Sequence, residues 1–220
     1  MNIIETPNLD LINPFPKGEI PRIINWIAAT QSIYESDDSP KTSSDIIDHL
    51  NGYLEGTVSF GIVDRDNWLR TPQIAPIVGI VAFEPMGINA YMHFACTRKA
   101  RGQRLIDQAL QGSIDYMFSN YTLARISACV PVYNHVVKTI IKRVGFEKEG
   151  VLQDMLIKEG RTQPVGHFGL LKRNWQCHFG QLLEGLVGAH LVPLEDPQVS
   201  QRAQPEQSPQ ASVEPVTKAL

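Results

Sequence analysis

The sequence predicts an α/β protein in which a central mixed β-sheet is flanked by helices, forming one domain over residues 1–175. Three observations carry that expectation. The 220 residues, 43% of them hydrophobic, can bury one substantial core but not two. Helical and strand periodicities alternate through the second half, and two further strand patterns close the series. Gly, Pro, Asn and Asp clusters separate these segments, so each periodic run is bounded by its own turn chemistry.

The elements follow in chain order. Pro7, Pro14, Pro16 and Pro21 restrict the backbone around a short strand at Leu9 to Ile12. Ile20, Ile23, Ile24, Ile27 and Ala28 recur at three and four residues, predicting a helix to Tyr34. Ser43 or Ser44 can cap a second helix that buries Ile46, Ile47, Leu50, Tyr53 and Leu54 and stops at Gly56. Three strands are predicted next, at Thr57 to Val63, Pro76 to Phe83 and Ile88 to Thr97, with Glu84 to Gly87 short enough for a hairpin connection. Arg98 to Phe118 carries Leu105, Ile106, Ala109, Leu110, Ile114 and Met117 at helical spacing. The strand at Ala124 to Val132 is expected to lie parallel to Ile88 to Thr97, with that helix as the crossover. A helix at Asn134 to Val144 then closes at Gly145. Strands at Phe146 to Ile157 and Val165 to Lys172, joined by Glu159-Gly160-Arg161, complete the sheet.

Residues 176–192 predict a C-terminal helix with a stripe of Leu182, Leu183, Leu186 and Val187. Residues 193–220 have five prolines, recurrent glutamine and no aromatic residue, the composition of a disordered tail. The net charge of −3 and the absence of a long basic run exclude an extended phosphate-neutralising surface, so no nucleic-acid partner is expected. Three widely spaced cysteines indicate a reducing compartment, and Cys177-His178 lacks two further ligands for a metal. No apolar run approaches the ~20 residues that cross a bilayer, and a cytoplasmic protein without membrane contact is expected.

Two runs carry more specific information. The first is Asn134-His135-Val136-Val137-Lys138, followed by Arg143-Val144-Gly145-Phe146-Glu147-Lys148-Glu149-Gly150-Val151-Leu152-Gln153-Asp154. The second is Gly160 with Phe168-Gly169-Leu170-Leu171-Lys172-Arg173-Asn174-Trp175. Together they resemble the C-terminal half of the GNAT acyltransferase superfamily, nearest to its RimJ/RimL-like branch of ribosomal-protein N-terminal acetyltransferases. From the residues alone, Gly145 is a helix C-cap, Phe146 and Trp175 are core residues, and Gly150 is a kink within a strand.

The resemblance implies an N-acetyltransferase that moves acetyl directly from acetyl-CoA to an amine, either a protein N-terminus or a small molecule. It places the cofactor where two parallel strands splay apart, with its pyrophosphate at a helix N-terminus. On this sequence the cofactor-binding candidates are Cys96, Arg98, Arg101, Gly102, Gln103, Arg104 and Asn134. Arg104 and Ile106 stand where the family pattern has small residues, and Arg101 and Arg104 would put guanidinium groups near the phosphates. Asn134 corresponds to an asparagine that contacts the pantetheine arm, and it is equally suited to capping its helix. Ile141 occupies the position of the family's tyrosine acid, and Val137 that of a common serine. Tyr133 is the substitute donor, while Glu84 and His93 are the catalytic candidates for the amine side, with Asp154 a further carboxylate. The alternative is a catalytically inactive GNAT-fold interaction or assembly protein, with a protein partner on the C-terminal tail and virion association of the kind found in phage.

Overall fold

The computed structural model describes residues 2–21, 23, 42–65, 77–97, 100, 105–175 and 191–193. Its strands are β1 (Asn2–Glu5), β2 (Leu9–Asn13), β3 (Val58–Asp64), β4 (Ile77–Met86), β5 (Asn89–Cys96), β6 (Arg125–Pro131), β7 (Glu147–Lys158), β8 (Arg161–Leu171) and β9 (Leu191–Pro193). The described helices longer than one turn are α1 (Ser43–Glu55), α2 (Leu105–Asn120) and α3 (His135–Val144). All nine strands join one mixed sheet in the order β7-β8-β6-β5-β4-β3-β2-β1-β9.

Hydrophobic patterning explains the layers. The first seven residues of β4 are all buried, as expected of a strand in mid-sheet that is covered on both faces. One face packs Phe60, Val81, Phe83, Ile126 and Phe168 against α2 and α3. The opposite face, toward α1, packs Val63, Ile77 and Ile80 with Ile20, Ile23, Ile46 and Leu54. Along α2, Ile106, Ala109, Leu110, Ile114 and Met117 are fully buried at three- and four-residue intervals, each large side chain contributing about 1.5–3 kcal/mol.

The parallel pairing of β5 with β6 and the crossover through α2 agree with the sequence expectation. The α3 boundaries follow from chemistry at both ends. Asn134 Oδ1 accepts the Val137 N–H at 3.1 Å, and Gly145, at φ 106°, takes the left-handed conformation that closes the helix. Phe146 and Trp175 are buried, and the Trp175 indole donates to Asp115 at 3.3 Å.

Several boundaries differ from the sequence reading. Helix α1 is capped by Thr42, whose side chain accepts the Asp45 N–H, so Ser43 and Ser44 become its first two residues. Strand β8 begins at Arg161, four residues before Val165, because a two-residue turn at Glu159 and Gly160 lets the hairpin pair from its first residue. Leu191 and Val192, expected to end a helix, and Pro193, expected in the tail, form β9 antiparallel to β1. Strand β1 itself, pairing with β2 from Asn2 to Glu5, was not expected. Of the helix predicted from Ile20, the described residues beyond Ile23 include none up to Tyr34; the helical stripe at 176–190 and the tail from 194 also lie outside the described residues. No helix among the described residues is long and apolar enough to cross a membrane.

Candidate active site

The sheet opens at one place. Strands β5 and β6 pair at only three positions, Asn89 with Arg125, Ala90 with Ile126 and Tyr91 with Ser127. Beyond them, β5 follows β4 to Cys96 while β6 follows β8 to Pro131, so the two parallel strands part company. Among the described residues, no strand pairs with the β6-facing edge of β5 from Met92 to Ala95.

Strand alternation sorts the side chains around this opening. Met92, Cys96, Ala128 and Val130 join the core under α2 and α3. Tyr91, His93, Ser127 and Cys129 alternate with them and face the other way. At one end of the opening β6 leads into Asn134 and α3, and β5 leads toward α2. Arg98, Arg101, Gly102, Gln103 and Arg104, the residues of that second connection, lie outside the described residues.

The structure brings Glu84 and His93 together. They stand on one face of the β4–β5 hairpin, where Glu84 pairs with Tyr91 and Ala82 with His93. Tyr53 of α1 meets the His93 ring edge-on at 5.6 Å, and His49 stacks on Tyr53 at 6.3 Å. Although His93 keeps solvent contact, packing against its ring holds its pKa below the ordinary histidine value, with Glu84 pulling weakly the other way. Burial pushes the Tyr53 hydroxyl well up, and the charge on Glu84 adds to the effect. That hydroxyl is buried and makes no hydrogen bond among the described residues.

The remaining candidates are placed elsewhere. Tyr133 lies in the β6–α3 turn, with Lys158 Nζ 5.2 Å above its ring, and burial raises its pKa. Cys96 is buried in the core at the end of β5. Asp154 lies on the outermost strand at φ 53°, inside the irregularity where the β7–β8 register shifts between Leu152 and Leu156. Among the described residues, no group of three or more His, Cys, Asp or Glu could hold a metal.

A second polar cluster was not singled out from the sequence. Arg125 of β6 donates to Glu149 of β7 at 2.6 Å, and His167 Nδ1 of β8 lies 3.1 Å from the same Glu149 oxygen. Arg125 Nε also donates to Ser127 Oγ at 3.2 Å, which in turn donates to Asn89 at 3.1 Å. The hydrogen bond from the Arg125 guanidinium is the main reason that Glu149 titrates below the usual carboxylate range. Two local features build this cluster. The β7 register jumps between Lys148 and Gly150, which leaves Glu149 as a bulged residue opposite no partner. Gly169 supplies the space: a Cβ there would lie 2.6 Å from Arg125 Nη2 and 2.7 Å from Glu149 Cδ. The sequence signal was the Glu149-Gly150 and Phe168-Gly169 pairs, where glycine marks a bulge and a close approach.

A strand order with β8 inserted between β6 and β7, and parallel strands that part at mid-sheet, defines an acyltransferase-type fold. Solved structures agree: the ribosomal-protein-S5-alanine acetyltransferase of Vibrio fischeri superposes with a TM-score of 0.63 at 18% identity, covering 79% of this chain and 98% of that one. The spermidine N-acetyltransferase of Vibrio cholerae, solved with CoA and spermine, gives 0.62 at 18% identity, covering 76% and 98%. A curated relative is YdaF of Bacillus subtilis (strain 168), whose name assigns it provisionally to the ribosomal N-acetyltransferases; it is 30% identical over 88 residues, 40% of this chain. The chain spans about half, 48%, of that relative's length. No family model matches the chain. The chain shares the fold of these acetyltransferases, and the curated relatives it resembles carry the names of N-acetyltransferases.

Proposed function

We propose that this protein is an N-acetyltransferase that transfers acetyl from acetyl-CoA directly to an amine, either a protein N-terminus or a small molecule. The observation that carries this reading is the parting of β5 and β6 after three paired positions. An acyl-CoA arm is rich in amides, and the edge of β5 from Met92 to Ala95, which pairs with no described strand on that side, offers the N–H and C=O groups that such an arm needs. Met92, Ala128 and Val130 give the opening an apolar wall on its core side. Asn134 stands at the far end, with Tyr133 beside it as a candidate proton donor to the departing sulfur. Arg98, Arg101, Gly102, Gln103 and Arg104 form the connection that would meet the pyrophosphate, and Cys96 ends the strand leading to it.

The amine arrives, on this reading, from the opposite face of the sheet. Glu84, exposed beside His93, attracts an ammonium ion, and a histidine whose pKa is lowered is neutral at pH 7 and adds no repelling charge. Acetyl-CoA supplies the acyl group, and the chain's contribution is to hold two reactants on either side of one gap. The similar structures support both ligand classes, because one of them contains CoA and spermine. No described feature favours the alternative of an inactive assembly protein.

The test is a pair of measurements on the full chain. Acetyl-CoA at 100 times its dissociation constant should stabilise the fold by about 2.7 kcal/mol in a thermal melt. A free-thiol assay with acetyl-CoA and amino-terminal peptides or polyamines should then show acceptor-dependent release of CoA. No thermal shift and no thiol release at millimolar acetyl-CoA would reject the proposal.

A further inference from the structure

The second polar cluster has a form that its ion pairing alone does not explain. Resting on the acetyl-transfer reading above, we infer that His167 takes the proton from the acceptor ammonium, and that Glu149, fixed by Arg125, is the positioning residue for its ring.

Three geometric observations lead here. First, Nδ1 of His167 is engaged by Glu149 at 3.1 Å, so the neutral ring carries its hydrogen on that nitrogen and its lone pair on Nε2. A carboxylate on one imidazole nitrogen is the usual means of fixing tautomer and orientation for a base acting through the other. Second, the ring is at the opening. His167 is the register partner of Cys129, the first residue of β6 beyond the last β5–β6 pair whose side chain faces away from the α2 core. Its ring also meets that of Tyr91, the last paired residue of β5, edge-on at 6.3 Å. The imidazole therefore spans the place where the strands begin to separate. Third, the support is itself supported: Arg125 holds Glu149 from β6, and Gly169 gives the pair the room it occupies.

The groups facing His167 are Glu149 from β7, Arg125 and Cys129 from β6 and Tyr91 from β5. Glu149 stays ionised, so the carboxylate on Nδ1 is the group that fixes the orientation of the ring. His93 is less suited to the role, because its own packing opposes protonation.

The step balances as follows. Nε2 of His167 removes one proton from the ammonium, the freed nitrogen lone pair forms the C–N bond to the acetyl carbonyl carbon, and the C–S bond breaks with its electrons on sulfur. The second N–H proton ends on that sulfur as the thiol, and His167 returns its proton to solvent.

The experiment uses the full chain with acetyl-CoA and an acceptor that the wild-type protein acetylates. His167→Gln should lower kcat by about 10²–10⁴-fold near neutral pH, with the acceptor KM changed only a few-fold. Glu149→Ala should lower kcat by about 10–100-fold with the acceptor KM changed only a few-fold, and Glu149→Asp should restore part of the loss. A readout independent of turnover is the ring tautomer of His167, read from its 15N chemical shifts in the protein without substrate, which should lose its preference for the Nδ1–H form in Glu149→Ala. Melting curves establish that each variant is folded. Turnover that survives His167→Gln within threefold, or a His167 tautomer unchanged in Glu149→Ala, overturns the assignment alone. Failure of the wild-type protein to turn over acetyl-CoA overturns the acetyl-transfer reading, and this assignment with it.

Discussion

Gly169→Ala tests the cluster at its foundation. The added methyl would lie 2.6 Å from Arg125 Nη2 and 2.7 Å from Glu149 Cδ, distances that Cβ atoms do not adopt. Both neighbours are the far ends of flexible side chains, so the ion pair should separate while the backbone stays in place. The side chains of Arg125 and Glu149 are 30% and 37% exposed, and a pair that wet is worth about 0–1 kcal/mol. Replacing glycine by alanine within a strand returns roughly 0.5–1 kcal/mol of backbone entropy. The two contributions nearly cancel, and the net change should lie within about 1 kcal/mol, or roughly 2–4 °C in Tm. The ion pair should nevertheless be lost, so Arg125→Gln and Glu149→Gln, whose effects couple in the parent, should become additive in the Gly169→Ala background. A Tm drop beyond about 8 °C would show that the methyl displaces β8 itself, and an undiminished coupling between the two substitutions would refute the steric argument.

Two further outcomes follow from the same coordinates. Tyr53→Phe removes a buried hydroxyl that has no hydrogen bond among the described residues, so a melting temperature equal to or above the parent's is expected, by up to about 1–3 kcal/mol of relieved desolvation; a loss of several degrees would mean that the hydroxyl has a stabilising partner. Glu149 titrates below its ordinary 4.5, so its folded carboxyl binds protons less readily than the unfolded one. Its stabilising contribution is complete above that value and disappears as pH falls through the lowered pKa, which predicts that urea melts of the parent and Glu149→Gln converge in acid and separate above pH 4.5.

Local chemistry made the second half of the fold legible. Asn134 and Gly145 mark the ends of α3 through a side-chain cap and a left-handed backbone, both properties of single residues. The Leu-Ile-x-x-Ala-Leu spacing of α2 between two strand patterns was enough to set β5 parallel to β6. Strand β1 was hidden because four residues before Pro7 carry little periodicity, and its pairing with Leu191–Pro193 joins segments far apart in sequence. Thr42 was passed over for the serines after it because all three can cap, and only the backbone decides which does. In the site, Glu84 and His93 sit on one hairpin, where strand alternation puts them on a common face. Arg125, Glu149 and His167 come from three strands, and their meeting depends on a bulge and on the insertion of β8 between β6 and β7. No spacing rule along the chain encodes that arrangement.

The place of β8 governs when β7 joins the rest of the sheet. Synthesis proceeds from β6 through α3 and β7, but β6 and β7 never touch as neighbours, and the strand between them is made after both. Until Leu171 has emerged, one flank of β6 has its hydrogen-bonding groups unclaimed and Glu149 has no imidazole to hold. Any shortened product ending before that point therefore presents a bare sheet edge to its surroundings, and the inserted strand joins β6 to β7 and assembles the polar cluster in a single event, leaving β9 to pair at the far edge.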